Sequence, residues 1–219
     1  GMAALVFRYL PNSQPTSSLA YGGLIASLWR LVRELPGLRE AAVTGASLFA
    51  AFCLFWTTLI LLLTEAPFFL GPQEAGLFAL VGVAGVLAAP WAGRQADRHG
   101  PRRVIWLAIV LMAFSFLILW AGERHLWLLL SGVVVLDAGL QVMQTPNQSR
   151  IFALRPEARS RLNTVYMVCY FSGGALGSSV GYLAWQSLRW PGVCLAGLAF
   201  TLIAAANHCR CRERHVRSS

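Results

Sequence analysis

The chain has 219 residues, 57% of them hydrophobic and only 12% charged, about half the charged share of a typical soluble domain. That composition excludes an ordinary soluble globule and points to the membrane class. The formal net charge of +9 comes from arginine alone, with no lysine in the chain. These arginines fall between long apolar runs rather than on one face of a soluble fold, which excludes nucleic acid as a partner.

In chain order, the first ten residues, "GMAALVFRYL", are apolar but too short to span a bilayer, which needs about 20 residues in helical form. Residues 1–10 read as the cut end of a preceding helix. Residues 11–40 read as a linker. Its polar opening "PNSQPTSS" is followed by "LIASLWRLVREL", where Leu24, Leu28, Leu31 and Leu35 recur at helical spacing and Arg30, Arg33 and Glu34 lie off the stripe. That pattern predicts an amphipathic helix, lying on the inner leaflet or packed on protein.

Six apolar segments follow, at residues 41–64, 75–93, 104–122, 126–148, 162–186 and 190–207, and Asp137 is the one charge inside them. Lipid offers no partner to backbone N–H and C=O groups, so each must be helical. The expected fold is an all-α membrane protein, a six-helix bundle over residues 41–208, followed by a basic tail, 209–219. Assigning inter-span segments alternately puts fifteen arginines on one side and only Arg124 and Arg189 on the other. The richer side is cytoplasmic by the positive-inside rule, and both termini fall on it. The segment "GRQADRHGPRRV" is then a short cytoplasmic turn between the second and third spans. Trp127, Trp185 and Trp190, near span ends, are expected in the interfacial aromatic belt. Glu65 is expected as a solvated boundary residue.

The turn reads G-x-x-x-D-R-x-G-x-R-R, carried by Gly93, Asp97, Arg98, Gly100, Arg102 and Arg103. Gly93 is expected to let one helix end against a neighbour, and Gly100 to supply a conformation other residues resist. Asp97 is expected near a helix N-terminus, with the arginines pairing with it or with the anionic leaflet. Pro101 should fix the entry to the third span.

This signature, directly between two spans, resembles the cytoplasmic loop motif of the major facilitator superfamily. The resemblance covers residue 19 to about 212. It implies one half of a twelve-helix fold whose two six-helix bundles rock about a central cavity, with this loop holding one gating state by charge pairing across the halves. The remnant and linker before the first span, the lack of an arginine in the fourth span, and "GGALGSSVG" without a Gly-Pro pair suggest the C-terminal half. The stretch "RLNTVYMVCYFSGGALGS" is similar to the eleventh span of bacterial drug- and sugar-efflux members.

Asp137, Gln141, Gln144 and Gln148 lie on one helical stripe. Two readings stay open: a cavity face with Asp137 binding solute or relaying a proton, or an interhelical hydrogen-bond clamp. Asn163, Tyr166, Tyr170 and Gly174 share a face of the fifth span, and Thr57 is a further cavity candidate. Gly173, Gly177 and Gly181 form two G-x-x-x-G steps, expected to pack helices closely.

None of the H-E-x-x-H, P-loop or dinucleotide motifs occurs, so no enzymatic activity is expected. No cysteine spacing suggests a disulfide framework. The Cys209/Cys211 pair between His208 and His215 reads as solvated basic tail rather than a metal site, and no cofactor is expected. The expected function is secondary transport of a small organic solute, by resemblance proton-coupled efflux across a bacterial inner membrane. The expected partners are the bilayer, the solute, and the missing N-terminal half, a separate half or a second copy. The alternative is a truncated half without transport of its own, serving in assembly or left as a remnant.

Overall fold

A computed structural model of the chain describes residues 21–71, 76, 78, 80 and 88–216. The predicted remnant, much of the predicted span 75–93, and the last three residues of the tail lie outside them. Among the described residues every regular element is helical. Helix α1 is Tyr21–Glu34, α2 Pro36–Thr64, α3 Ala88–His99, α4 Pro101–Ala121, α5 Leu126–Leu154 and α6 Arg159–Val216. Short 3-10 turns, Gly122–Arg124 and Pro156–Ala158, follow α4 and precede α6. Four helical stretches are long and apolar enough to cross a membrane: Pro36–Thr64, Pro101–Arg124, Leu126–Leu154 and Pro156–Arg210.

Local sequence sets the boundaries. Proline occupies the first turn of α2 and of α4, where its missing N–H costs nothing and its fixed φ suits the helix. Helix α2 stops at Thr64, where Glu65 is extended and Pro67 follows. The helices overrun the apolar segments: α2 starts before residue 41, and α5 continues past 148 to Leu154. Hydropathy marks the lipid-soluble part, whereas helical hydrogen bonding persists into the polar ends.

The predicted fifth and sixth spans share one 58-residue helical run, broken at Arg189 (φ 54, ψ −144) with Pro191 just beyond. Contacts show that the two arms run in opposite directions. In the first arm Gly173, Gly177 and Gly181 meet Ala46, Ala50 and Leu54 of α2 in the same order along both helices, so these run parallel. In the second arm Trp190 reaches Leu119 and Phe55, Gly197 meets Phe116, and His208 reaches Arg102, so this arm is antiparallel to α4. A reversal within one residue is why no loop separates them.

Lipid-immersed helices gain no hydrophobic drive toward one another, so small residues and buried hydrogen bonds must hold them. The α2–α6 seam is built that way. A Cβ on Gly173 or Gly177 would overlap the carbonyl oxygens of Ala46 and Ala50, and one on Gly181 would sit 3.0 Å from that of Leu54. Across the α4–α5 seam, Gly132 and Gly139 receive Leu119 and Met112. The central layer is aliphatic and aromatic, including Leu54, Phe55, Met112, Phe116 and Leu136.

Trp190 departs from expectation. It is buried, donates from Nε1 to Leu119 O at 2.8 Å and meets Phe55 edge-on. Trp185 is buried too, with the Arg189 guanidinium 5.1 Å over its ring, while Trp127 is 82% exposed. Position near a span end fixes depth in the bilayer, not which face a ring presents. Glu65 is exposed and pairs with Arg189 at 3.0 Å.

Candidate functional site

The signature turn joins α3 to α4. Helix α3 runs through Gly93, where a Cβ would meet nothing within 4 Å, and ends at His99. Gly93 therefore does not end a helix against a neighbour, because the polar stretch to His99 continues the helical hydrogen bonding. Asp97 is exposed in the last turn of α3, beside Arg98, which is also exposed. Asp97 thus sits at the C-terminal end of its own helix, a few residues before the start of α4. Among the described residues Asp97 has no ion pair.

Gly100 has φ 84 and ψ 144, a region nearly closed to residues with a Cβ, and it caps α4. Gly100→Ala is expected to cost about 1–3 kcal/mol by thermal unfolding in detergent. Gly93→Ala, on an open helical surface, should be neutral or stabilise by about 0.5–1 kcal/mol.

Arg102 pairs not with Asp97 but with Glu40 of α2, at 3.3 Å. Glu40 is buried, and Arg150 of α5 approaches its other carboxylate oxygen at 2.9 Å. His208, at the far end of α6, brings Nδ1 to 2.9 Å from Glu40 Oε1. Its Nε2 lies 3.3 Å from the carbonyl of Arg102, and the ring meets Trp106 edge-on. Asn207 donates to Glu40 O and to Thr44 Oγ1, both at 3.0 Å. One carboxylate thus gathers the start of α2, the start of α4, the end of α5 and the end of α6 at one end of the bundle.

Sequence reasoning missed Glu40 and placed His208 in a solvated tail, whereas its side chain is 1% exposed. A signal was present: a lone acid opens an apolar helix on the side where fifteen arginines collect. Arg103 remains exposed, with no ion pair among the described residues. The amphipathic helix α1 packs inward through Leu28, Leu31 and Val32 and leaves Ile25 and Trp29 exposed.

Deeper in the bundle, Asp137, Gln141, Gln144 and Gln148 are half-buried along α5. Asp137 Oδ2 is buried without a hydrogen-bond partner among the described residues. Such an atom is rare, because an unpaired polar group in a low-dielectric interior is costly. Tyr166 is fully buried. Its hydroxyl accepts from Asn147 Nδ2 at 3.3 Å, and the same amide donates to Ala41 O at 2.9 Å. Tyr170 is buried and stacks on Phe49, centroids 4.0 Å apart. Asn163 is half-buried one turn before Tyr166. Thr57 is exposed on α2 and donates to Ser178 of α6 at 2.9 Å. Thr57 and the α5 stripe thus keep access to the surface, whereas the two tyrosines are enclosed.

Long apolar helices with their charge gathered at one end define a multi-pass membrane protein. The profile of the Major Facilitator Superfamily matches residues 43–216, and the chain belongs to that family. It is 37% identical over 202 residues to the uncharacterized transporter YgaY of Escherichia coli O157:H7, covering 92% of this chain and 51% of that protein. A probable transporter of Streptomyces coelicolor is 35% identical over 184 residues, covering 84% of this chain and 42% of that protein. A probable sugar efflux transporter of Haemophilus influenzae is 27% identical over 200 residues, covering 91% and 49%. The chain spans about half the length of the curated relatives it matches.

Proposed function

We propose that this chain is one six-span half of a major facilitator-type secondary transporter, working in a bacterial inner membrane by alternating access against a second six-span bundle. Its basic end and both termini face the cytoplasm. The transported solute is a small organic molecule, moved outward and coupled to protons. The observation that carries this reading is the match to about half of each of several transporters, nearly the whole of this chain being used. A cavity shared by two bundles needs both, so the second bundle is the N-terminal half, a separate chain or a second copy.

Asp137 is the proton-handling candidate, being an ionisable group inside a span with an unpartnered oxygen and a glutamine row on its own face. The test is solute-driven proton movement in everted vesicles carrying this chain with a second six-span bundle, measured across a pH series. Asp137→Asn is expected to flatten the pH profile while leaving membrane insertion intact, because an amide cannot carry the proton. An unchanged profile with a lower folded yield makes Asp137 a helix clamp and removes the proton-relay role.

A further inference from the structure

Beside the Glu40 cluster lies a cavity of about 810 Å³. Its lining divides in two. Arg102, Arg103 and Arg150 give it three guanidinium groups, joined by His99, while Leu35, Pro101, Ala153 and Leu154 give it apolar walls. Glu40 is the one carboxylate in the lining, and it already faces Arg102 and Arg150. Three guanidiniums against one carboxylate leave an excess of two positive charges.

The backbone adds to that excess. The starts of α2 (Pro36, Gly37) and of α4 (Pro101, Arg102, Arg103) both line the cavity. Neither helix has a capping side chain or an acid in its first turn. Two positive dipole ends therefore reinforce the arginines. Helix α1 leads straight into this wall at Leu35 and presents exposed Ile25 and Trp29, with Arg33 over the Trp29 ring at 5.3 Å. That is the pattern of a helix seated at a membrane surface.

We propose that this cavity binds the phosphate group of an anionic phospholipid. The phosphate sits against the Arg103 guanidinium at the start of α4, and the glycerol and upper acyl region lies on Leu35, Ala153 and Leu154. Free phosphate shares the anionic chemistry but has no use for the apolar walls, and those walls favour the lipid. The bound headgroup bridges α2, α4 and α5 at the end where they are already joined through Glu40.

The test uses the purified chain in detergent, with native mass spectrometry counting retained phosphatidylglycerol against phosphatidylcholine. Phosphatidylglycerol is expected to be retained preferentially. Arg103→Ala is expected to lower its retention about fivefold, the share of one arginine at a membrane surface. Arg103 is exposed and outside the Glu40 pairs, so the variant keeps its fold, which circular dichroism checks. Arg103→Lys should restore most of the retention, and Arg124→Ala, on the opposite end of α4, should leave it unchanged. Equal retention of the two lipids, or no loss in Arg103→Ala, overturns the site. Displacement of the lipid by millimolar inorganic phosphate makes the ligand a soluble anion and overturns the lipid assignment. The readout is binding to this chain alone, so it stands or falls apart from transport.

Discussion

Glu40→Gln is expected to destabilise the bundle by about 3–5 kcal/mol, the usual consequence of removing one partner from a buried ion cluster. The glutamine keeps the shape but not the charge, and leaves Arg102, Arg150 and His208 facing one another around a neutral amide. The penalty is unevenly shared. Arg150 and His208 are 18% and 1% exposed, whereas Arg102 is 33% exposed and can turn to water, so its part is nearer to about 1 kcal/mol. The comparison is Glu34→Gln, which breaks an exposed pair with Arg155 and should cost less than about 1 kcal/mol. Thermal unfolding of both variants in one detergent decides the matter. Equal midpoints would mean that Glu40 does not organise this end of the bundle. A double-mutant cycle with Arg150→Gln should return a coupling of about 1–3 kcal/mol.

Gly177→Leu is expected to cost about 3 kcal/mol, at the upper end for overpacking. Even the first carbon of a side chain would collide with the backbone of Ala50. Backbone cannot swing aside as a flexible side chain can, so α6 must separate from α2 along the whole seam. The seam also holds Gly173 against Ala46 and Gly181 against Leu54. Gly76→Leu, at a position where a Cβ meets nothing within 4 Å, serves as the control and should cost no more than about 1 kcal/mol. Unfolding curves for the two variants that coincide would show that close approach of α2 and α6 is not what holds the bundle.

Much of this architecture was legible in the sequence because lipid forces the issue. A run such as "AFCLFWTTLILLL" can only be a helix in a bilayer, and a glycine every fourth residue from Gly173 can only be read as a close seam. Gly100 was legible for a similar reason, since few residues but glycine accept its backbone angles. The partnerships were not legible. Glu40 meets Arg102 and Arg150 from 62 and 110 residues away, and nothing local to residue 40 reports that apposition. Counting arginines by side located the correct end of the bundle but not the acid that organises it. Trp190 and His208 were misplaced because distance along the chain from a span end fixes depth and leaves azimuth open. Residues Tyr166 and Tyr170 share the predicted face with Asn163, yet that face points into the α2–α5–α6 junction.

The Glu40 contacts tie four helix ends together where the signature turn enters. The glycine seam does the same along α2 and α6. Asp137 and Thr57 lie between these two fixed regions, on surfaces with access to whatever packs against the bundle.

The most direct measurement is solute uptake into proteoliposomes holding the purified chain, with and without a matching second six-span bundle. The account predicts solute movement driven by an imposed pH gradient when both bundles are present, and none when the second is omitted and the chain is kept monomeric. Equal uptake by the monomeric chain alone, or none with both bundles across a broad panel of small organic solutes, would contradict it.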